Sequence, residues 1–152
     1  MKTLYNTVLA RIQAQVTEIK HIDFETGQLE VLAQDQRPAV KFPCALIDID
    51  YPQCSDTNEG ETVQEVTARV SIKLAFEVQQ QTDSLAQSGT RAAGLLFLDT
   101  IDKVYKYLQG YSTTAFSSFS RKSQTCDKRF DGSGIKVYDI VFETSFLDTS
   151  AE

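Results

Sequence analysis

The chain has 152 residues, 41% of them hydrophobic and 24% charged, with a formal charge of −6. That length suits a single domain spanning 1–152 that buries its own core without disulfides or metal. No apolar run approaches the roughly 20 residues a membrane-crossing helix needs, and the acidic balance disfavours a protein that grips nucleic-acid phosphates with clustered Lys and Arg.

At the N-terminus, Leu4, Tyr5, Val8, Leu9, Ile12, Val16 and Ile19 recur at spacings of three and four between polar or small residues, which predicts an amphipathic helix over 3–20. Asn6, Arg11 and Gln13 interrupt any signal-peptide core, so the expected location is the cytoplasm. Beyond the helix, Ile22, Phe24 and the turn former Gly27, followed by Leu29, Val31 and Leu32, suggest a short extra hairpin or irregular strands. Pro38 and Pro43 then bracket an extended piece.

The next strand, 44–51, places Ala45, Ile47, Ile49 and Tyr51 on one face. Cys44, Leu46, Asp48 and Asp50 lie on the other, so one end of the strand is buried on both sides. The segment 52–62, PQCSDTNEGET, is a polar acidic loop without periodicity, expected to be disordered alone and to order against a partner. After it, 65–78 (EVTARVSIKLAFEV) alternates almost without a break. Val66, Ala68, Val70, Ile72, Leu74, Phe76 and Val78 make one face continuously apolar, over roughly 45 Å of strand. The two strands pair most simply as a long antiparallel hairpin.

Something long must cover that apolar face. The segment 83–109 is expected to be one helix about 40 Å long, with Asp83 or Ser84 as its N-cap and Gly110 just past its end. Its stripe would be Leu85, Ala92, Leu95, Leu98, Ile101, Tyr105 and Leu108. Leu96, Phe97, Val104 and Tyr107 extend the apolar surface to a second side, so Leu96, Phe97 and Tyr107 are candidates for a subunit interface. A strand over about 119–130, a turn at Asp131-Gly132-Ser133-Gly134 and a last strand over 135–147 complete the chain, and 148–152 is expected to fray. The order is α-β-β-α-β-β with an extra N-terminal hairpin. It implies an α+β fold whose antiparallel sheet is covered on one face by two helices.

Catalytic signals are weak. His21 is the lone histidine and has no nucleophile motif around it. Asp48 and Asp50, two residues apart on one strand face, have the spacing of a D-x-D magnesium site but read more simply as a solvated strand end. Gly132-Ser133-Gly134 opens no helix and holds no phosphate. Cys44, Cys54 and Cys126 are odd in number and contain no C-x-x-C, so they read as free thiols. Arg121, Lys122, Lys128 and Arg129 form the one basic cluster, more simply a solvated strand face than a nucleic-acid contact. No catalytic, cofactor-binding or metal residue is assigned.

The succession of an N-terminal amphipathic helix, the strand PCALIDIDY entering a loop, the strand EVTARVSIKLAFEV, the helix AAGLLFLDTIDKVYKYL and the final strand GIKVYDIVFETSF resembles the tail-completion (tail terminator) proteins of long-tailed phages and prophages. The resemblance covers the whole chain and is one of element order rather than of a short motif. It implies a structural virion protein, not an enzyme, that forms a homo-oligomeric ring of six copies on the tail tube and joins tail to head. The implied partners are other copies, the tail tube and head-connector proteins, without cofactor, membrane or sequence-specific nucleic acid. The implied location is the host bacterial cytoplasm during assembly and then the virion tail. Alternatives are another head-tail connector or a baseplate module, or a small metal-dependent enzyme using Asp48 and Asp50. Within the loop, Asp56, Glu59 and Glu61 are candidates to meet cationic groups of a partner.

Overall fold

The structure, a computed structural model, describes residues 1–31, 37–57, 59–60, 62–78 and 82–151. Its elements in chain order are α1 (Lys2–Gln15), β1 (His21–Phe24), β2 (Cys44–Asp56), β3 (Gln64–Glu77), α2 (Ser88–Gly94), α3 (Leu96–Leu108), β4 (Ser120–Cys126) and β5 (Ile135–Asp148). The strands form one sheet in the order β1-β2-β3-β5-β4. The fold is α+β, but the sheet is mixed rather than wholly antiparallel, because β1 runs parallel to β2 and pairs His21 with Cys44 through to Phe24 with Ile47. No hairpin forms in the N-terminal region among the described residues: after Phe24 the chain turns through Gly27, at φ +86°, and Leu29 goes into a core instead of a second strand. Leu32, expected in that hairpin, lies outside the described residues, as do Gln79, Gln80 and Gln81 at the exit from the long strand.

The long hairpin exists and is longer than expected. β2 continues through Asp56, so Pro52, Gln53, Cys54, Ser55 and Asp56, expected in a loop, are strand, and Gln53 through Asp56 pair with β3. The register shifts between Asp50 and Gln53, a β-bulge that accommodates Pro52, which has no N–H to give to a ladder. Beyond Asp56 the turn is closed by the Thr57 N–H and hydroxyl, both donating to the Val63 carbonyl at 2.9 and 3.0 Å.

Alternation in the strands decides the two faces of the sheet. Ala45, Ile47 and Ile49 of β2, Ala68, Val70, Ile72, Leu74 and Phe76 of β3, and Ile140 and Phe142 of β5 point to one side. There they meet Leu4, Val8 and Ile12 of α1 and Ile101, Val104 and Leu108 of α3. Among the described residues the opposite face is covered only at one end, where Leu29, Val40, Phe42 and Phe130 pack over Cys44, Leu46, Ala75 and Val137. Residues 44–47 of β2 are therefore fully buried on both sides.

The second helix departs most from expectation. It begins at Ser88, and Asp83 caps only a turn, its carboxylate accepting from the Leu85 and Ala86 N–H groups. Ser84 caps nothing, and Leu85 is 94% exposed. The helix breaks at Leu95, directly after Gly94, where the low helix propensity of glycine makes interruption cheap. Within α3 the buried side is Thr100, Ile101, Val104 and Leu108, so Ile101 and Leu108 of the expected stripe are core, while the buried face turns toward Thr100 and Val104 and away from Leu98. Leu95 and Leu98, expected in the core, are 37% and 39% exposed.

β4 also stops early, at Cys126, and Lys128–Phe130 form a 3₁₀ turn before the glycine turn into β5. The Asp127 carboxylate accepts from the Arg129 N–H and caps that turn.

Candidate interaction surfaces

Three features stand out on the surface, and each follows from the folding choices above. The first is apolar. Leu95, Leu96 and Leu98, at 37%, 59% and 39% exposure, project from the α2–α3 junction beside a cleft of about 640 Å³. The cleft floor is Phe76, Phe42, Pro43 and Phe97, and its rim carries Glu18, Lys20, Glu77, Asp99 and Lys103, with Lys103 donating to Glu18. That hydrogen bond holds the Glu18 carboxyl below the usual carboxylate range and raises the Lys103 ammonium above its own.

The second feature is a pair of unlike sheet edges. β4 is an outer strand whose residues 121–125 are all exposed. At the other side of the sheet β1 is so short that β2 beyond Ile47 has no strand beside it among the described residues. The upper half of β2 is therefore a second open edge, set in a notch above the end of β1.

The third is a charge network on the face opposite the helices. Lys73 Nζ lies 2.9 Å from Glu25 Oε2, both groups mostly buried, which ties the segment after β1 to the middle of the sheet. Nearby, Arg129 bridges Asp127 at 2.7 Å and Glu30 at 3.2 Å. Hydrogen bonding to Arg129 holds the Asp127 carboxyl below its ordinary range, whereas burial lifts that of Asp139 on β5.

No protein-family model and no curated protein sequence matches the chain.

Among the candidate interface residues, Leu96 is on the surface. Phe97 instead turns inward, its ring 5.6 Å from that of Phe76 and 6.2 Å from that of Tyr138. Tyr107 packs against the core edge beneath Arg11 and Lys106, and its carbonyl accepts from Arg11 Nε at 3.0 Å. The outward apolar flank is thus Leu95, Leu96 and Leu98, one turn earlier and rotated from the expected Leu96, Phe97 and Tyr107. Asp56 ends β2 and accepts from Gln64 Nε2 at 2.9 Å, Glu59 is exposed in the turn, and Glu61 lies outside the described residues.

The residues weighed for chemistry have structural occupations. Asp48 accepts from the Ile49 N–H at 2.9 Å, and Asp50 stands opposite Arg69 in the ladder. His21 starts β1 and lies 3.7 Å from Asp23. Among the described residues no group of three His, Cys, Asp or Glu side chains is placed to hold a metal ion. The basic cluster divides: Arg129 is consumed by its acids, Arg121 lies 3.7 Å over the Tyr105 ring, and Lys122 reaches Glu143 at 3.4 Å. No helix is long and apolar enough to cross a membrane among the described residues.

Proposed function

We propose that the chain is a structural assembly protein that forms a closed ring on the end of a phage or prophage tail tube, completing the tail and joining it to the head. The observation that carries this reading is that one small domain exposes two different unsatisfied surfaces. These are open strand edges on opposite sides of the sheet, at β4 and at the upper half of β2, joined by an apolar flank at the α2–α3 junction. Ring closure requires a heterologous contact, in which one patch meets a different patch on the neighbour, whereas a single self-complementary patch would stop at a dimer. Six copies and a head-connector partner come from the resemblance in element order. The reading assigns no catalytic step: Asp48 and Asp50 act as ladder charges, and Leu95, Leu96 and Leu98 as contact surface. The test is solution mass by sedimentation from micromolar to millimolar concentration, paired with negative-stain images. Closed rings of uniform size are expected, and a monomer throughout that range, with no rings on added tail tubes, would overturn the reading.

A further inference from the structure

The two open edges differ in more than position. β4 carries Arg121 and Lys122 at its upper end, while the open half of β2 carries Asp48 and Asp50 and leads to Asp56 and Glu59. Face by face the charges also match. Lys122 reaches Glu143, which lies in the same cross-strand row as Arg69 and Asp50, so Lys122 and Asp50 share the face away from the helices. Arg121 pairs with Phe142 and Asp56 with Gln64 two residues from Val66, so both share the helix-covered face. A strand's side chains alternate, so Arg121 and Asp56 can stand opposite each other on the helix-covered face, whereas Asp50, five rows below Asp56, adds acidic charge to the edge as a whole rather than a partner opposite Lys122.

Direction agrees as well. β2 and β5 run one way and β3 and β4 the other, because each of the three pairings between them is antiparallel. Setting β4 of one copy beside β2 of a like-oriented neighbour therefore makes an antiparallel pair without turning either molecule over. Like charge on β4 disfavours pairing with another β4, which is how edge strands avoid indiscriminate association, but the same charges admit an acidic edge. The lengths are compatible, since β4 spans Ser120–Cys126 and the open part of β2 covers residues 48–56.

The backbone groups are available. Asp127 N–H donates to the Val137 carbonyl at 2.9 Å, so antiparallel alternation turns the Gln124 and Cys126 N–H groups away from β5 and into the open. The Arg121 N–H is already taken by Gln109 Oε1 at 2.9 Å, and on β2 the Ile49 N–H by the Asp48 carboxylate at 2.9 Å.

We propose that β4 of one copy enters the notch above β1 of the next and pairs with the open half of its β2, making the sheet continuous from subunit to subunit. This rests on the ring reading and names the contact that reading requires. Seating β4 in the notch staggers each copy along the strand direction, and a stagger closes on itself when the strands tilt against the ring axis, as shear and tilt do in a barrel.

The experiment is a charge exchange in the full chain. One variant carries Arg121→Glu with Lys122→Glu, the other Asp50→Lys with Asp56→Lys, and far-UV circular dichroism with a melting curve establishes that each is folded. Each variant alone is expected to lose assembly at concentrations about tenfold above those at which the native chain assembles, and an equal mixture to regain it. Gln124→Pro, which keeps every charge but deletes one outward N–H, is expected to weaken assembly to a similar extent. If the native chain forms rings and all of these variants form them equally well alone, the edge pairing is wrong and the ring reading stands. If the native chain forms none, both fall. Loss in each variant without recovery on mixing would also overturn the pairing, since complementary charge would then not be what joins the edges.

Discussion

Ile101 and Leu98 sit three residues apart on α3, and the rotation of that helix predicts opposite consequences for truncating them. Ile101 is 1% exposed within the main core. Replacing it with Ala removes three buried carbons, worth about 0.8 kcal/mol each in transfer free energy. The cavity left behind adds to this, for a total of about 2–5 kcal/mol. Leu98 is 39% exposed and belongs to neither buried cluster. Its truncation forfeits about 1 kcal/mol or less, partly offset by the better helix propensity of Ala. In a domain of this size 1 kcal/mol moves the melting point by about 2–4 °C. Urea denaturation followed by circular dichroism separates the two, because both variants share an m-value and differ only in midpoint. Equal losses, or a larger loss for Leu98→Ala, would mean that α3 presents the other face to the sheet, and the apolar flank assigned to contact would be core.

Three further outcomes are expected. Glu25→Ala strands Lys73 in a site where the ammonium is 15% exposed, and a loss of about 1–3 kcal/mol in chemical denaturation is expected, with no loss refuting the pair's structural role. Burial raises the Asp139 carboxyl, against the pull of Lys73 and with the push of Asp127 and Glu25, so its native-state penalty is absent below the unfolded pKa, grows as pH rises from there to the folded one and is full above it. Asp139→Asn should therefore raise the melting point at neutral pH and lose that gain below about pH 3.5, and a gain independent of pH would contradict the assignment. Among the thiols, Cys54 is exposed, Cys126 half-buried and Cys44 buried with its pKa pushed up to about 12, so a thiol reagent applied to the native protein should label them in that order, and early labelling of Cys44 would show the small core to be open.

The strands were the most legible part of the fold. Strict alternation in β3 and β5 gave both their extents and their buried faces, because a period of two is unambiguous over fourteen residues. The double burial at the start of β2 was readable too, since Cys44 and Leu46 are apolar where Asp48 and Asp50 are not. What failed was phase and partnership. A helical stripe read from Leu85 to Leu108 takes continuity for granted, whereas the helix starts only at Ser88 and breaks after Gly94; within α3 Ile101 and Leu108 are core as expected, but the buried face centres on Thr100, Ile101 and Val104, which leaves Leu98 out and brings Phe97 in. The parallel pairing of β1 left no local mark, because four residues carry no periodicity and the partner strand lies across a long connection. The polar composition of 52–56 concealed a strand because these residues are all exposed and so have no apolar alternation to display. Which edges stand open is a property of the neighbours a strand lacks, and that is not written in the strand itself.

The small core of Leu29, Val40, Phe42 and Phe130 covers only one end of the sheet, and this divides β2 and β3 into regions of unequal stability. Amides at the doubly covered end can exchange with solvent only when both layers separate, so their opening free energy approaches that of global unfolding. Past the bulge at Pro52, β2 pairs on one side only, with β3, among the described residues and is exposed, so its amides open at lower cost than those of the doubly covered end. The outer end of β2 therefore exchanges early while its start stays fixed. If the chain assembles as proposed above, that gradient lets the outer end of β2 adjust to a neighbouring copy without disturbing the part of the sheet that holds the chain folded.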